Sequence, residues 1–270
     1  MGFFGRKRAP SVPHPRKEPR FDGPLTLKRL EQIFQDCVDF TKRPVSLGEG
    51  GACTLTLCYL SGMVKMERVS DYVLRPLAQD EALARCGTPR QAMDRMKDGA
   101  LYNLSAEERT RLDAAVFDLV NGCCLLLFPG ESSVLSLNVG TEEKRSISSP
   151  SNETVLKGSR DAFVESLRTN TSIVRRHLKA PELRIREQVV GRQSVTSVDI
   201  LYIEGLTNPH LVEQVAAQLA DIDIDAVLAT GNIEEYIVPA ARTAFPLVQY
   251  TERSDRFCAG LAEGRGGILI

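Results

Sequence analysis

The sequence contains no apolar run approaching the roughly 18 residues of a membrane-spanning helix; its densest apolar stretch covers only residues 123–128. The 270 residues therefore read as a soluble piece. Also missing is the apolar stretch of a secretory signal, because Met1 to Phe4 passes straight into Arg6-Lys7-Arg8, which argues against secretion. Net charge is nearly absent, with 34 Lys and Arg against 35 Asp and Glu, so no whole-chain field pulls it toward nucleic acid or an anionic surface. Histidine is scarce: His14, His177 and His210 are scattered, and the seven cysteines form no C-x-x-C clusters, so no metal site is expected. An odd cysteine count with Cys123 beside Cys124 gives no disulfide framework and points to reduced, cytoplasmic thiols. No G-x-S-x-G elbow, Walker lysine or H-E-x-x-H helix occurs. Enzyme activity and a cofactor therefore have no anchor, and neither is expected.

What is present suffices for a sizeable fold, since 43% of residues are hydrophobic and 26% charged, material for one large or two ordinary domains. Residues 1–22 stand apart. Arg6, Lys7, Arg8, Arg16, Lys17 and Arg20 face only Glu18 and Asp22 there, which reads as a flexible basic tail, solvated or drawn to lipid head groups. Leu27, Leu30, Phe34 and Val38 then recur at helical spacing, with Ile33 and Cys37 widening the stripe. The cluster Gly48-Glu49-Gly50-Gly51 precedes an alternating strand over 52–60, so it reads as a turn; a phosphate loop would follow a strand and open a helix. Ser105 with Glu108 three positions on has the form of a capping box and predicts a helix with Leu112, Ala115, Val116, Leu119 and Val120 buried. Residues 123–128 and 133–139 read as strands around the Pro129-Gly130 turn.

The apolar rhythm then lapses, which predicts a linker over 141–153 between a first subdomain, 23–140, and a second, 154–270. The second shows a helix over 160–178, strands over 183–190 and 195–203, and a helix over 209–222 opened by Asn208-Pro209. A strand near 245–250, a helix over 255–263 and a strand over 267–270 follow. The Asp221-Ile222-Asp223-Ile224-Asp225 run lacks the later ligands of a calcium loop and reads as a helix exit. This alternation predicts an α/β chain of two α/β subdomains, each a small sheet layered with helices. A last segment that is a buried strand implies that the natural polypeptide continues.

The stretch 158–178 is the most informative. At 100° per residue Phe163, Leu167, Val174 and Leu178 share one face, and Glu165, Arg168 and Arg176 the opposite one. Asn170 lands among the apolar residues, so its amide must bond to the backbone of a neighbouring element if that face is buried. Arg168, Arg175 and Arg176 gather on the charged face, which reads either as a partner surface or as a solvated one with a Glu165–Arg168 pair.

These residues also carry a resemblance. Gly158 to Asn170, including Arg160, Phe163 and Glu165, then Ile173 to His177, Tyr202 to Gly205 with Asn208-Pro209, Thr251 to Asp255, and Leu261 to Arg265 leading to Ile270 follow one order and spacing. That pattern resembles the GerA family of spore germinant receptor A subunits, over roughly residues 150–270, with residues 1–140 adding compatible architecture. The resemblance implies a soluble N-terminal region facing the cytoplasm, followed by membrane-spanning helices beyond this stretch, in the spore inner membrane. It implies B and C subunits as partners, an oligomer of A subunits, a role in assembly and in coupling nutrient sensing to ion release, and no nucleic acid. Arg160, Phe163, Glu165, Arg168, Asn170, Arg175, Arg176, Glu252, Arg253 and Asp255 become interaction or structural candidates. Ser159 and Ser254 stand where the family pattern has proline; a serine can cap the helix that proline would have started, and a SpoVAF-type homologue is the alternative. By fold analogy, a cleft between two α/β regions would also admit a small molecule.

Overall fold

The computed structural model describes residues 21–47, 53–101, 106–140, 162–227, 230–237 and 248–270. The basic tail to residue 20, the glycine cluster at 48–51, Ser105, the linker at 141–153, Ser159 and Arg160 lie outside them.

Helix α1 (Leu27–Ile33) is capped by Thr26 and leads to β1 (Phe40–Ser46) and β2 (Thr54–Leu60), which pair antiparallel. A helical run follows: α2 (Met66–Val69), a π turn (Ser70–Leu74), α3 (Arg75–Gln79), α4 (Glu81–Ala84) and α5 (Pro89–Arg95). Strand β3 (Ala106–Arg109), helix α6 (Leu112–Val120) and strands β4 (Cys123–Leu127) and β5 (Val134–Asn138) complete a five-stranded sheet of order β1-β2-β4-β5-β3. The two-residue period of the strands divides the core. Leu55, Leu57, Cys124, Leu126, Leu135 and Leu137 pack with Val69, Val73, Leu77 and Met93 of the helical run. Cys58, Leu60, Leu125 and Leu127 pack on the other face with Leu30 and Ile33 of α1 and Leu112, Val116 and Leu119 of α6.

The second half repeats this layering on a smaller sheet. Helix α7 (Leu167–His177) precedes β6 (Leu183–Val190) and β7 (Thr196–Ile203); then come α8 (Pro209–Ala220), α9 (Thr230–Ile237), α10 (Ser254–Ala262) and β8 (Gly267–Leu269). The antiparallel order is β6-β7-β8. Val198, Ile200 and Tyr202 bury against α8 and α9, whereas Leu183, Ile185, Leu201 and Leu269 bury against Val174 of α7 and Cys258 and Leu261 of α10. Asn208 accepts from the His210 N–H at 3.0 Å with Pro209 as the first helical residue, the start that the dipeptide predicts. The architecture is mixed α/β, two sheets each layered with helices, as expected from the sequence.

Several elements differ from expectation for identifiable reasons. Helix α1 stops at Ile33, because Asp36 takes φ +56° and Cys37 bridges to Ile185 of the other sheet; Val38 is left 40% exposed. Glu108 caps no helix: residues 106–109 are spent pairing with β5, and the helix starts only at Leu112. Its carboxylate receives Arg90 at 2.7 Å, Lys97 at 2.6 Å and the Ser133 hydroxyl at 2.7 Å. Residues 248–250 form no strand.

The two roles open to Glu108 make different predictions. As a helix cap it would tolerate glutamine; as an anion held by Arg90, Lys97 and Ser133, its carboxyl is pulled from 4.5 to about 2. A lowered carboxyl contributes stability above its ordinary range that is lost as pH falls through the folded value. Discounted for solvent screening, we expect Glu108→Gln to lose about 1 kcal/mol at neutral pH. Its urea midpoint should also fall less steeply than that of the unaltered chain as pH drops from 4.5 toward about 2. Equal midpoints for the two chains throughout would disprove the clamp.

Candidate functional site

Helix α7 lies where the two sheets meet, and its sequence explains how it can be buried while largely polar. Ser166 caps it, accepting from the Thr169 N–H. Residues Asn170 to Arg175 are all buried, and each polar group among them has a local or long-range partner. Asn170, 3% exposed, accepts from the Val164 N–H at 2.8 Å and donates to the Val164 carbonyl at 2.7 Å, so one amide replaces two missing backbone partners. Thr171 and Ser172 donate to the Arg168 carbonyl at 3.0 and 2.7 Å. The Ser172 side chain presses on Gly62, in the turn after β2, which has φ +79° and whose added Cβ would sit 1.9 Å from the hydroxyl oxygen. Glycine is therefore required there on both counts.

In the last turn of the helix Arg175 enters the interior, 1% exposed. Its Nε and Nη2 donate to the two oxygens of Asp39 at 3.0 and 2.9 Å, and Nη1 donates to the carbonyls of Leu183 at 3.0 Å and Ala180 at 3.4 Å. Burial alone would drive the proton off, but the charge of Asp39 and the Cys37 contact outweigh it, and the net direction is upward. Backbone bonds reinforce the pair: Val38 donates to Ile185 and Ile185 to Asp36, both at 3.0 Å, while the Cys37 thiol donates to Leu183 at 3.3 Å. A short segment of the first half thus lines up parallel to β6 at the edge of the smaller sheet.

Two turns earlier on α7, Arg168 reaches two carboxylates, Glu187 of β6 and, at 3.5 Å, Asp199 of β7, which stand opposite each other in the strand register. Asp199 is fully buried, and its Oδ1 has no hydrogen-bond partner among the described residues. Burial raises its carboxyl to about 6; Arg168 opposes the rise, and Glu187 and Asp39 add to it.

The remaining candidates clasp the segment entering α7. Phe163 donates its N–H to the Glu252 carbonyl at 2.8 Å, Ala162 bridges Arg253, and the Phe163 ring meets Phe257 edge-on at 5.3 Å. Arg253 holds Asp255 through bonds of 3.1 and 2.7 Å, and that pairing lowers the Asp255 carboxyl. Three expectations are corrected here. Phe163 and Glu165 precede the helix and do not form part of it, because the pairing with residues 252–253 keeps 162–166 out of helical conformation. Arg168, Arg175 and Arg176 share no charged face: Arg175 points inward, Arg176 is half-buried, and Arg168 pairs with Glu187 and Asp199 while Glu165 lies exposed. Ser254 does not cap α10; it is the first helical residue, fully buried, with its oxygen 3.3 Å from His177 Nε2. Asp39, Gly62, Glu187 and Asp199 went unnoticed in the sequence; only the Glu187–Asp199 pair has a local signal, since pairing the two predicted strands as a hairpin sets them opposite.

An open groove of about 410 Å³ runs along the joint, lined by Phe34, Asp36, Cys37, Val38, Ile185, Arg186 and Glu187. Among the described residues no group of three or more His, Cys, Asp or Glu could hold a metal, and no helix is long and apolar enough to cross a membrane.

The chain matches the family model described as Bacillus/Clostridium GerA spore germination protein over residues 28–270. YfkQ, an uncharacterized membrane protein of Bacillus subtilis strain 168, is 33% identical over 243 residues, covering 90% of this chain and 46% of that protein. Spore germination protein KA of the same organism is 32% identical over 232 residues, covering 86% and 42%. The chain spans about half the length of the curated relatives it matches. The crystal structure of the N-terminal domain of the A subunit of the Bacillus megaterium spore germinant receptor GerK3 is similar with a TM-score of 0.69 at 26% identity, over 90% of this chain and 88% of that one.

Three substitutions measure the joint. Arg175→Met leaves Asp39 buried and uncompensated and should cost about 3–5 kcal/mol of unfolding free energy. Adding Asp39→Leu should return part of that loss, and a double variant as unstable as the sum of the two singles would show that the charges do not interact. Asn170→Ala strands the Val164 N–H and carbonyl and should cost about 1–3 kcal/mol; an unchanged denaturation midpoint would remove the amide from the account.

Proposed function

The chain belongs to the GerA family of spore germination proteins, and from that premise we propose that it is the N-terminal region of a germinant receptor A subunit, held at the spore inner membrane and facing the cytoplasm. In this reading it works with B and C subunits and further copies of the A subunit. It carries the effect of nutrient binding toward ion release and performs no bond-making chemistry of its own. The observation that supports this most is the fold shared with the GerK3 A-subunit domain over nearly the whole chain. The joint is consistent with it. Arg175 is spent on fixing one half of the molecule against the other, and Asn170, Phe163 and the Arg253–Asp255 pair on holding the segment that enters its helix, which is what a part transmitting an orientation requires.

A ligand cleft between the halves is the weaker reading. The volume of the groove falls in the range of ligand pockets, about 300–1,000 Å³, but it is open along its length, and Asp36 and Val38 at its edge are solvent-exposed. A small molecule there would keep much of its surface in water, against the 70–90% burial usual for ligand sites.

The test is purification of the full-length protein by an affinity tag from dormant-spore membranes. We expect B-type and C-type subunits to accompany it, and spores lacking it to lose response to one class of nutrient while still responding to others. A SpoVAF-type accessory protein would instead purify without a dedicated B and C pair. Recovery from the soluble fraction with no membrane partner, together with an intact nutrient response, would refute the assignment. Thermal-shift screening of this chain with amino acids and sugars should give no stabilisation; a saturable shift would favour the cleft.

A further inference from the structure

Asp199 is a buried charge that the joint leaves only half compensated. It stands at the middle of β7 with both neighbours fixed by register: Glu187 on β6 and Leu269 on β8. Of the groups facing it, α7 supplies Arg168, whose Nη1 is 3.5 Å from Oδ2, and β6 supplies the like-charged Glu187. The segment after α1 supplies Asp39, also negative and already saturated by Arg175. Helix α10 contributes Cys258 and Leu261 to the same layer; its Asp255 is paired with Arg253, and burial pushes the Cys258 thiol up to about 12, so it stays neutral. The contrast with Asp39 is direct. Asp39 receives two guanidinium N–H bonds from an arginine committed to it, whereas Asp199 has a share in an arginine that is half exposed and bound to Glu187 as well, and its Oδ1 has no partner among the described residues. An ionised carboxylate in that setting is costly, and taking up a proton removes the charge without disturbing the packing.

We propose that Asp199 is a proton-binding site that sets the grip of α7 on the smaller sheet. Charged, it shares Arg168 with Glu187 and holds the first turn of the helix across β6 and β7; protonated, it leaves Arg168 to Glu187 alone. Because α7 also carries Arg175, the state of this one carboxyl bears on the helix that both halves of the molecule grip. The burial that raises it to about 6 puts the change in mildly acidic solution. The sign follows from the direction: a carboxyl raised in the folded chain contributes stability at low pH that is lost as pH rises through the folded value.

The test is a carbon-detected NMR titration of the 270-residue chain, with the Asp199 carboxyl identified by its absence in Asp199→Asn. We expect its midpoint near 6. Arg168→Met should move the midpoint up, because the opposing cation is gone. Glu187→Gln should move it down, because the neighbouring anion is gone and Arg168 becomes free to commit to Asp199. Rotation of the Arg168 guanidinium, followed by nitrogen relaxation, should be slow above the midpoint and fast below it. If Asp199→Asn fails to fold, the two other variants still decide the matter, with Asp199 assigned by through-bond correlation. A midpoint near the ordinary 3.8, shifts of one sign in both variants, or guanidinium rotation indifferent to pH would each overturn the proposal.

Discussion

A guanidinium locked to a carboxylate inside the protein, Arg175 to Asp39, sets the terms for everything around it. Two buried charges are tolerable only while they face each other with their remaining valences filled. Here all of that is met: two bonds run to Asp39 and two further ones to the carbonyls of Leu183 and Ala180. Apolar contacts would survive a slip of an ångström between the halves with little loss. This pair would not, since the same slip strands both charges away from water. Its contribution is therefore less to total stability, where well-packed hydrophobic residues do as well or better, than to uniqueness of orientation. A solvent-facing pair such as Arg192–Asp223, both residues more than two-thirds exposed, places no such demand and is worth at most about 1 kcal/mol.

The ion pair explains why its surroundings look as they do. For Arg175 to reach Asp39, α7 must come close to the turn after β2, and that closeness is what Gly62 permits against Ser172. A helix so deeply buried cannot be capped by solvent, and Ser166, Asn170, Thr171 and Ser172 supply internal partners in its place. The chain entering α7 must in turn be held, and the Thr251–Asp255 segment does this from the far end of the sequence. These residues act as a set, each needing the position that another secures.

What the sequence disclosed divides along the same line. Strands β4, β6 and β7 and helix α8 were legible because their signals are local: a short apolar run, alternation, and an asparagine before a proline. The burial of Asn170 was legible too, since its angular position among apolar residues needs only helical geometry. The start of α7 was not, because Phe163 has the right periodicity and is kept out of the helix only by its contact with Glu252. Glu108 fits the capping pattern by coincidence while its backbone is claimed by β5. No local pattern announces Asp39, 136 positions from Arg175 in the chain. A paired charge is a property of the fold, and in one dimension it looks like any other aspartate.

This division bears on how a domain of this kind can pass on a displacement. Each half is layered on its own sheet with its own core, so each resists internal deformation. The weak direction is then relative movement of the halves, and α7 is the element gripped from both sides, by Asp39 and Gly62 on one and by β6, β7 and α10 on the other. Two of its three arginines are held unequally: Arg175 is buried and saturated, whereas Arg168 is half exposed and divided between two anions. A force on the smaller sheet would therefore yield first at Arg168, while Arg175 and the backbone bonds between residues 36–38 and β6 carry it to the larger sheet. An element with one firm and one yielding attachment pivots about the firm end, so the first turn of α7 is where two arrangements of these halves would differ.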